Sequence, residues 1–177
     1  PSWLLRDNAV AALGDLDSQG SVNALARVLR RRDSSQEARL EAARVLGRRS
    51  DPAALRVLRD SVEDSDAGVR QEVIQSLASV GRRLGERGLT TARMEATGLL
   101  NKILLAGNGS DEVAARAALL SLGDESQRAP LSTALKSLDE RKRLQVVQAV
   151  ERDSTLLAAA LDDSAPSVRQ VAADFQL

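Results

Sequence analysis

The sequence predicts an all-α solenoid: about five stacked helical hairpins followed by one terminal helix. Composition is the first reason. Of 177 residues 28 are Ala and 28 are Leu, against one Phe, one Trp and no Tyr. Ala and Leu favour helix, whereas strands favour β-branched and aromatic side chains. A recurring phrase is the second. An apolar–Arg pair opens an amphipathic segment in "LLRDNAVAALG", "EARLEAARVLG", "GVRQEVIQSLA", "KRLQVVQAVE" and "SVRQVAADFQ", carrying Arg6, Arg39, Arg70, Arg143 and Arg169. Spacing is the third. The first three arginines are 33 and 31 positions apart and the last two 26, with a longer step through "EVAARAALLSLG", where the Arg shifts by one to Arg116. Self-similarity at such a period marks repeats that cannot bury their apolar faces alone and stack to do so.

Taken along the chain, each hairpin has a first helix bearing the phrase and a second helix after it. In the first helices an apolar residue stands seven positions after the Arg, at Leu13, Leu46, Leu77 and Val150, and Gly14 and Gly47 follow at helix-ending positions. Among the second helices, "SVNALARVLRRR" starts at Ser21 and points Val22, Leu25 and Leu29 inward. "SDPAALRVLRDSVED" offers Asp51 as cap, Pro52 at the first helical position and Leu55, Leu58 and Val62 as the buried stripe. In "VEDSDAGVRQEVIQSL", Asp64 or Asp66 caps the next helix and Val69 anchors it. "TTARMEATGLLNKILLAG" presents Met94, Leu99, Ile103 and Leu104 inward, and "SQRAPLSTALKSL" presents Leu131, Leu135 and Leu138. "DERKRLQ" places acids before bases at a helix start, as the helix dipole favours. "STLLAAALDD" is short and apolar, and the terminal helix begins near Pro166 with Val168, Val171, Ala172 and Phe175.

The Asp, short turn, Val-Arg and Ala-rich helix of "LDDSAPSVRQVAA" and "VEDSDAGVRQEVIQSL" resemble the short bacterial HEAT-like repeats, and the resemblance runs over nearly the whole chain. It departs at "SVGRRLGERGLTT", an insert at about 79–91 that lengthens a linker, and at "AGNGSD", which replaces the Asp-turn phrase. The resemblance implies a single right-handed α-solenoid over 1–177. It also implies ladders between units built from Asp64, Asp66, Arg39, Arg70, Arg143, Asp163 and Arg169, and second helices that line a concave face.

Composition excludes several chemistries. Cys and His are both absent, so no disulfide, thiolate, imidazole ligand or Ser/His relay exists. No metal and no cofactor is expected, and the chain is read as non-enzymatic. The His-dependent di-iron hydroxylases of HEAT architecture are ruled out with them. Phycobilin lyase subunits share this repeat type, but no residue string here supports a chromophore-related role. Acidic and basic residues balance at 25 each, which gives no chain-wide field for nucleic acid or membrane. No apolar run approaches the ~20 residues of a membrane span, and no signal-peptide pattern is present. A cytoplasmic location is expected. The chain begins at Pro1 rather than Met, which fits a processed piece of a longer array. A monomer is expected if the chain stops natively at Leu177.

Two arginine groups are candidate binding surfaces. "RVLR" occurs at 27–30 and again at 56–59, setting Arg27, Arg30, Arg56 and Arg59 opposite the apolar stripes of successive second helices, with Lys102 and Lys136 continuing the row. Such a strip suits acidic protein segments or phosphates; equally, it is a solvated face paired with acids such as Asp60 and Glu63. Within the insert, Arg82, Arg83, Arg87 and Arg93 form either an anion-gripping loop or an ordinary connection. Trp3 and Phe175, at opposite ends, are read as closing the stack. The first function class is therefore a scaffold that docks a protein partner along the concave surface. Nucleic-acid backbone binding through the arginine strip is the alternative. Base contact is not expected, because no aromatic lies between Trp3 and Phe175.

Overall fold

The computed structural model describes residues 19–31, 33–107, 109–137, 139–150 and 153–175. Trp3, Arg6, Leu13, Gly14 and Leu138 lie outside the described residues. The described residues form ten α-helices and no strand. In order these are α1 (Gln19–Arg30), α2 (Gln36–Gly47), α3 (Pro52–Arg59), α4 (Ala67–Glu86), α5 (Thr90–Ala106), α6 (Gly109–Ser121), α7 (Arg128–Leu135), α8 (Glu140–Ala149), α9 (Ser154–Leu161) and α10 (Pro166–Asp174). One turn of 3₁₀ helix, Glu125–Gln127, leads into α7. The chain forms two compact units, Pro1–Leu99 and Leu100–Leu177, divided within α5.

Polar caps start five of these helices. Ser35 accepts from the Ala38 amide at 3.1 Å, Asp51 from Ala53 at 2.7 Å, Asp66 from Val69 at 3.0 Å, Asp139 from Arg141 at 2.9 Å and Asp153 from Leu156 at 2.9 Å. Each satisfies an amide that the first helical turn leaves without a partner. The acidic punctuation of the sequence is thus largely helix capping.

In the first unit α2 packs against α1 and α4, and α3 packs against α2 and α4, with α1 beside α3. First helix lies against first helix, and second against second, as stacked hairpins require. Leu25, Leu46, Leu55, Leu58, Ile74, Leu77 and Leu84 are fully buried between them. The α2–α4 contact is close because Gly47 has no side chain: a Cβ there would lie 2.8 Å from the Cβ of Ser76 and 3.0 Å from its Cα. Ser76, itself buried, donates its hydroxyl to the Ala43 carbonyl at 2.9 Å.

Two expectations are corrected here. The segment 79–91 is not a long linker, because α4 continues as helix to Glu86. Val80 and Leu84 extend its buried stripe, so the helical path buries more apolar surface than a loop would. The turn back is then short. Gly88, at φ +86°, lets the Gly88 amide reach the Gly85 carbonyl and the Leu89 amide the Leu84 carbonyl, both at 2.9 Å, which closes the helix end. On α5, Met94 is not inward but 71% exposed, and the buried positions are Ala92, Ala96 and Leu100. Small residues won that face: Ala96 sits so close to Gly81 that a Cβ on the glycine would be 2.6 Å away.

In the second unit α8 packs against α6, α7, α9 and α10, while α7 touches α9. Leu131, Val146, Val147, Leu156, Leu157, Val168 and Ala172 form its core, with Leu135 and Val171 partly buried around it. Among the described residues no helix is long and apolar enough to cross a membrane, and no group of three or more carboxylates is placed to hold a metal ion.

Candidate docking surface

Burial of Val22, Leu25 and Leu29 turns α1 so that Arg27 and Arg30 face outward. The same packing of Leu55 and Leu58 turns Arg56 outward on α3 and leaves Arg59 half-buried. These four side chains divide into two kinds. Arg30 donates to Asp60 at 2.9 Å, and Arg59 reaches Asp60 at 3.2 Å and Glu95 at 3.1 Å. Hydrogen bonding to Asp60, then to Glu95, raises the Arg59 pKa above its ordinary value. Arg27 and Arg56, the matching members of the two RVLR strings, are exposed and form no ion pair with any described residue. Lys102 on α5 and Lys136, just after α7, are exposed and number among the residues of the second unit.

Of the insert arginines, Arg82 and Arg83 stand on α4 and Arg93 on α5, while Arg87 lies in the turn that ends α4. Arg83 donates to the Arg48 carbonyl and Arg87 to the Ser50 carbonyl, the latter at 2.8 Å, so both tie α4 to the turn before α3. Arg82 approaches Glu86 at 3.5 Å on the same helix. Arg93, on α5, is exposed, and its stem lies alongside Gly85.

The seven ladder candidates sort into a repeated joint. Arg39 places Nε 3.0 Å from one oxygen of Asp64 and Nη2 3.2 Å from the other, while its Nη1 donates to the Ser34 carbonyl at 2.7 Å. Arg143 does the same with Asp163 at 2.8 and 3.0 Å and with the Ser137 carbonyl at 2.8 Å. Side-chain exposure in these pairs is only 7–10%. Each aspartate also holds its own turn, Asp64 accepting from the Asp66 amide at 2.9 Å and Asp163 from the Ala165 amide at 2.8 Å. Arg70 and Arg169 then donate to the carbonyls of Asp64 and Asp163, at 2.9 and 2.6 Å. Asp66 is the helix cap; Asp64 is the partner of the preceding hairpin's arginine.

Sequence reading missed a further arginine–aspartate pair, of different geometry. Arg128 grips Asp153 at 2.7 and 2.9 Å, and Glu125 at 2.9 Å. The pair is 25 positions apart, as Arg39 and Asp64 are, but Arg143 and Asp163 are 20 apart, so no common spacing marked it. Asp60, which the sequence offered as a pairing acid, and Glu95 of α5, which no spacing rule marks, neutralise half of the arginine row.

Comparison with known proteins agrees with this architecture. Among proteins of curated function none matches the chain significantly. A structure of the complex of CpcE and CpcF of phycocyanin lyase from Nostoc sp. PCC7120 is similar in fold, with TM-score 0.51 and 20% identity over 97% of this chain and 81% of that one. A designed armadillo repeat protein aligns less well, at TM-score 0.40 and 14% identity over 96% of this chain and 91% of that one. The family model for HEAT repeats matches residues 1–78 and 28–123, more than half of the chain. With its hairpins stacked first helix to first helix and joined by arginine–aspartate pairs, the chain belongs to the HEAT-repeat family.

Proposed function

We propose that this chain is a non-catalytic docking module that takes an acidic segment of a partner protein across α1 and α3. One contrast carries the reading. Arg30 and Arg59 are tied down by Asp60 and Glu95, whereas Arg27 and Arg56, one hairpin apart, present their guanidinium groups to solvent with no carboxylate beside them among the described residues. Guanidinium is more weakly hydrated than ammonium and presents a fork that matches carboxylate or phosphate oxygens. In this reading the α1–α3 face is the groove side of the repeats. Arg83 and Arg87 serve partly to brace α4. The fold-similar structure is itself that of a two-protein complex, the kind of behaviour proposed for this chain.

The chain supplies neither imidazole nor thiol, so docking rather than turnover is the economical use of such a face. Nucleic acid is the competing occupant, since its phosphates would meet the same forks. A pull-down from the source cell with wild type and an Arg27/Arg30/Arg56/Arg59→Glu variant separates the readings. A protein captured by wild type and lost by the variant supports docking at this row. Capture of nucleic acid instead, falling steeply as salt rises, replaces the protein partner with a phosphate backbone. Identical captures by both baits remove the row from the function.

A further inference from the structure

The two RVLR strings set two arginine pairs on the same two helices, one turn apart, and only one pair has its counter-ions. Arg30 of α1 and Arg59 of α3 converge on a single carboxylate. Asp60 gives one oxygen to Arg30 at 2.9 Å and the other to Arg59 at 3.2 Å. Glu95 adds a second carboxylate, 3.1 Å from Arg59. Two guanidinium charges are thus met by two carboxylate charges.

Arg27 and Arg56 repeat the pair one turn earlier, at the matching positions of the two strings. With α1 beside α3, the convergence that Asp60 records is open to these side chains as well. Both are exposed, and no carboxylate of a described residue pairs with either. Beneath them Ala26 and Val57 are buried, so a ligand rests on the two forks and does not enter between the helices.

We propose that Arg27 and Arg56 together hold one phosphomonoester, carried on a phosphorylated serine or threonine of the docked segment; the inference rests on the docking reading above. Two features select that group. The first is charge: the neighbouring pair is balanced by two negative charges, and a phosphomonoester brings nearly two in a single group at neutral pH. The second is oxygen count. A carboxylate between two arginines gives each one oxygen, as Asp60 does, and leaves both forks half used. Three terminal phosphate oxygens serve both forks.

The test uses the whole chain and reads each arginine separately. Arginine Nε–H signals, assigned through Arg27→Gln and Arg56→Gln, are followed by NMR as acetyl-Ala-phosphoserine-Ala-amide is added. Both substitutions are at exposed positions and leave the fold intact. Expected are shifts of Arg27 and Arg56 with one common midpoint and little movement of Arg30 and Arg59. Arg27→Gln should weaken the Arg56 response by roughly tenfold, through loss of charge-assisted hydrogen bonds to the shared group. The same tripeptide with glutamate in place of phosphoserine should bind more weakly. An Arg56 response undiminished by Arg27→Gln, equal binding of the glutamate tripeptide, or no response at either arginine overturns the proposal. An equal response to dimethyl phosphate also overturns it, by making a diester backbone the occupant. The docking reading fails separately, when wild type and the quadruple Glu variant capture the same proteins.

Discussion

At the scale of single residues, Arg39 and Asp64 show how one phrase performs two tasks. The aspartate holds its own turn through the Asp66 amide and joins the preceding hairpin through both carboxylate oxygens. Removing the arginine leaves a nearly buried carboxylate without its counter-charge, a loss of the kind that costs roughly 3 kcal/mol. Arg39→Gln is therefore expected to lower the urea midpoint strongly, and Arg39→Lys only partly, since an ammonium cannot bridge both oxygens. Asp163 makes the corresponding joint sensitive to pH. Hydrogen bonding from Arg143, against the opposing effect of burial and with help from the Ala165 amide, holds its carboxyl below the ordinary carboxylate value. The unfolded carboxyl therefore takes up its proton first, near pH 4. The joint's contribution is complete above that pH and is lost as pH falls through the lower folded value. Asp163→Asn should be less stable than wild type at pH 7, with the gap closing on acidification below about pH 4 in pH-dependent urea titrations. Recurrence made these residues legible in the sequence. Which of Asp64 and Asp66 capped and which bridged was not, because both are one turn from the helix start and only packing separates them.

At the scale of elements, close approach decides more than hydrophobic pattern does. Ser76 of α4 lies over Gly47 of α2, and its hydroxyl reaches the Ala43 carbonyl. Gly47→Ala would push a methyl group into the Ser76 Cβ and backbone, overpacking that costs about 1–3 kcal/mol. Thermal unfolding is the check, and Ser76→Gly in the same chain should recover part of the loss. The sequence marked Gly47 as a helix end but not as a contact. A similar limit explains α5. Met94 and Leu99 looked inward by size, yet Ala92 and Ala96 are buried because Gly81 on α4 admits only a small neighbour. Helical periodicity names a stripe; the opposing helix chooses which of two adjacent stripes is used. The insert was misjudged for a related reason, since its glycines suggested a loop while Val80 and Leu84 kept the helical spacing.

At the scale of the whole molecule, family, helical content and hairpin order were legible, because each hairpin restates them. The proposed docking row was legible only in half. Sequence placed four arginines on equivalent faces, but the acids that neutralise two of them, Asp60 at the end of α3 and Glu95 on α5, belong to no repeated phrase. The proposed docking surface therefore rests on the pair Arg27 and Arg56. Because both are exposed, reversing their charge should change stability by no more than about 0.5 kcal/mol. Arg30→Glu, by contrast, sets two acids facing each other across α1 and α3.

The decisive measurement is the affinity of the partner captured by wild type for an Arg27→Glu/Arg56→Glu variant, taken alongside its urea midpoint. An unchanged midpoint with binding lost, and wild-type binding that weakens with added salt, is the expected result. A variant that unfolds as wild type does and binds the partner equally well would contradict the docking account.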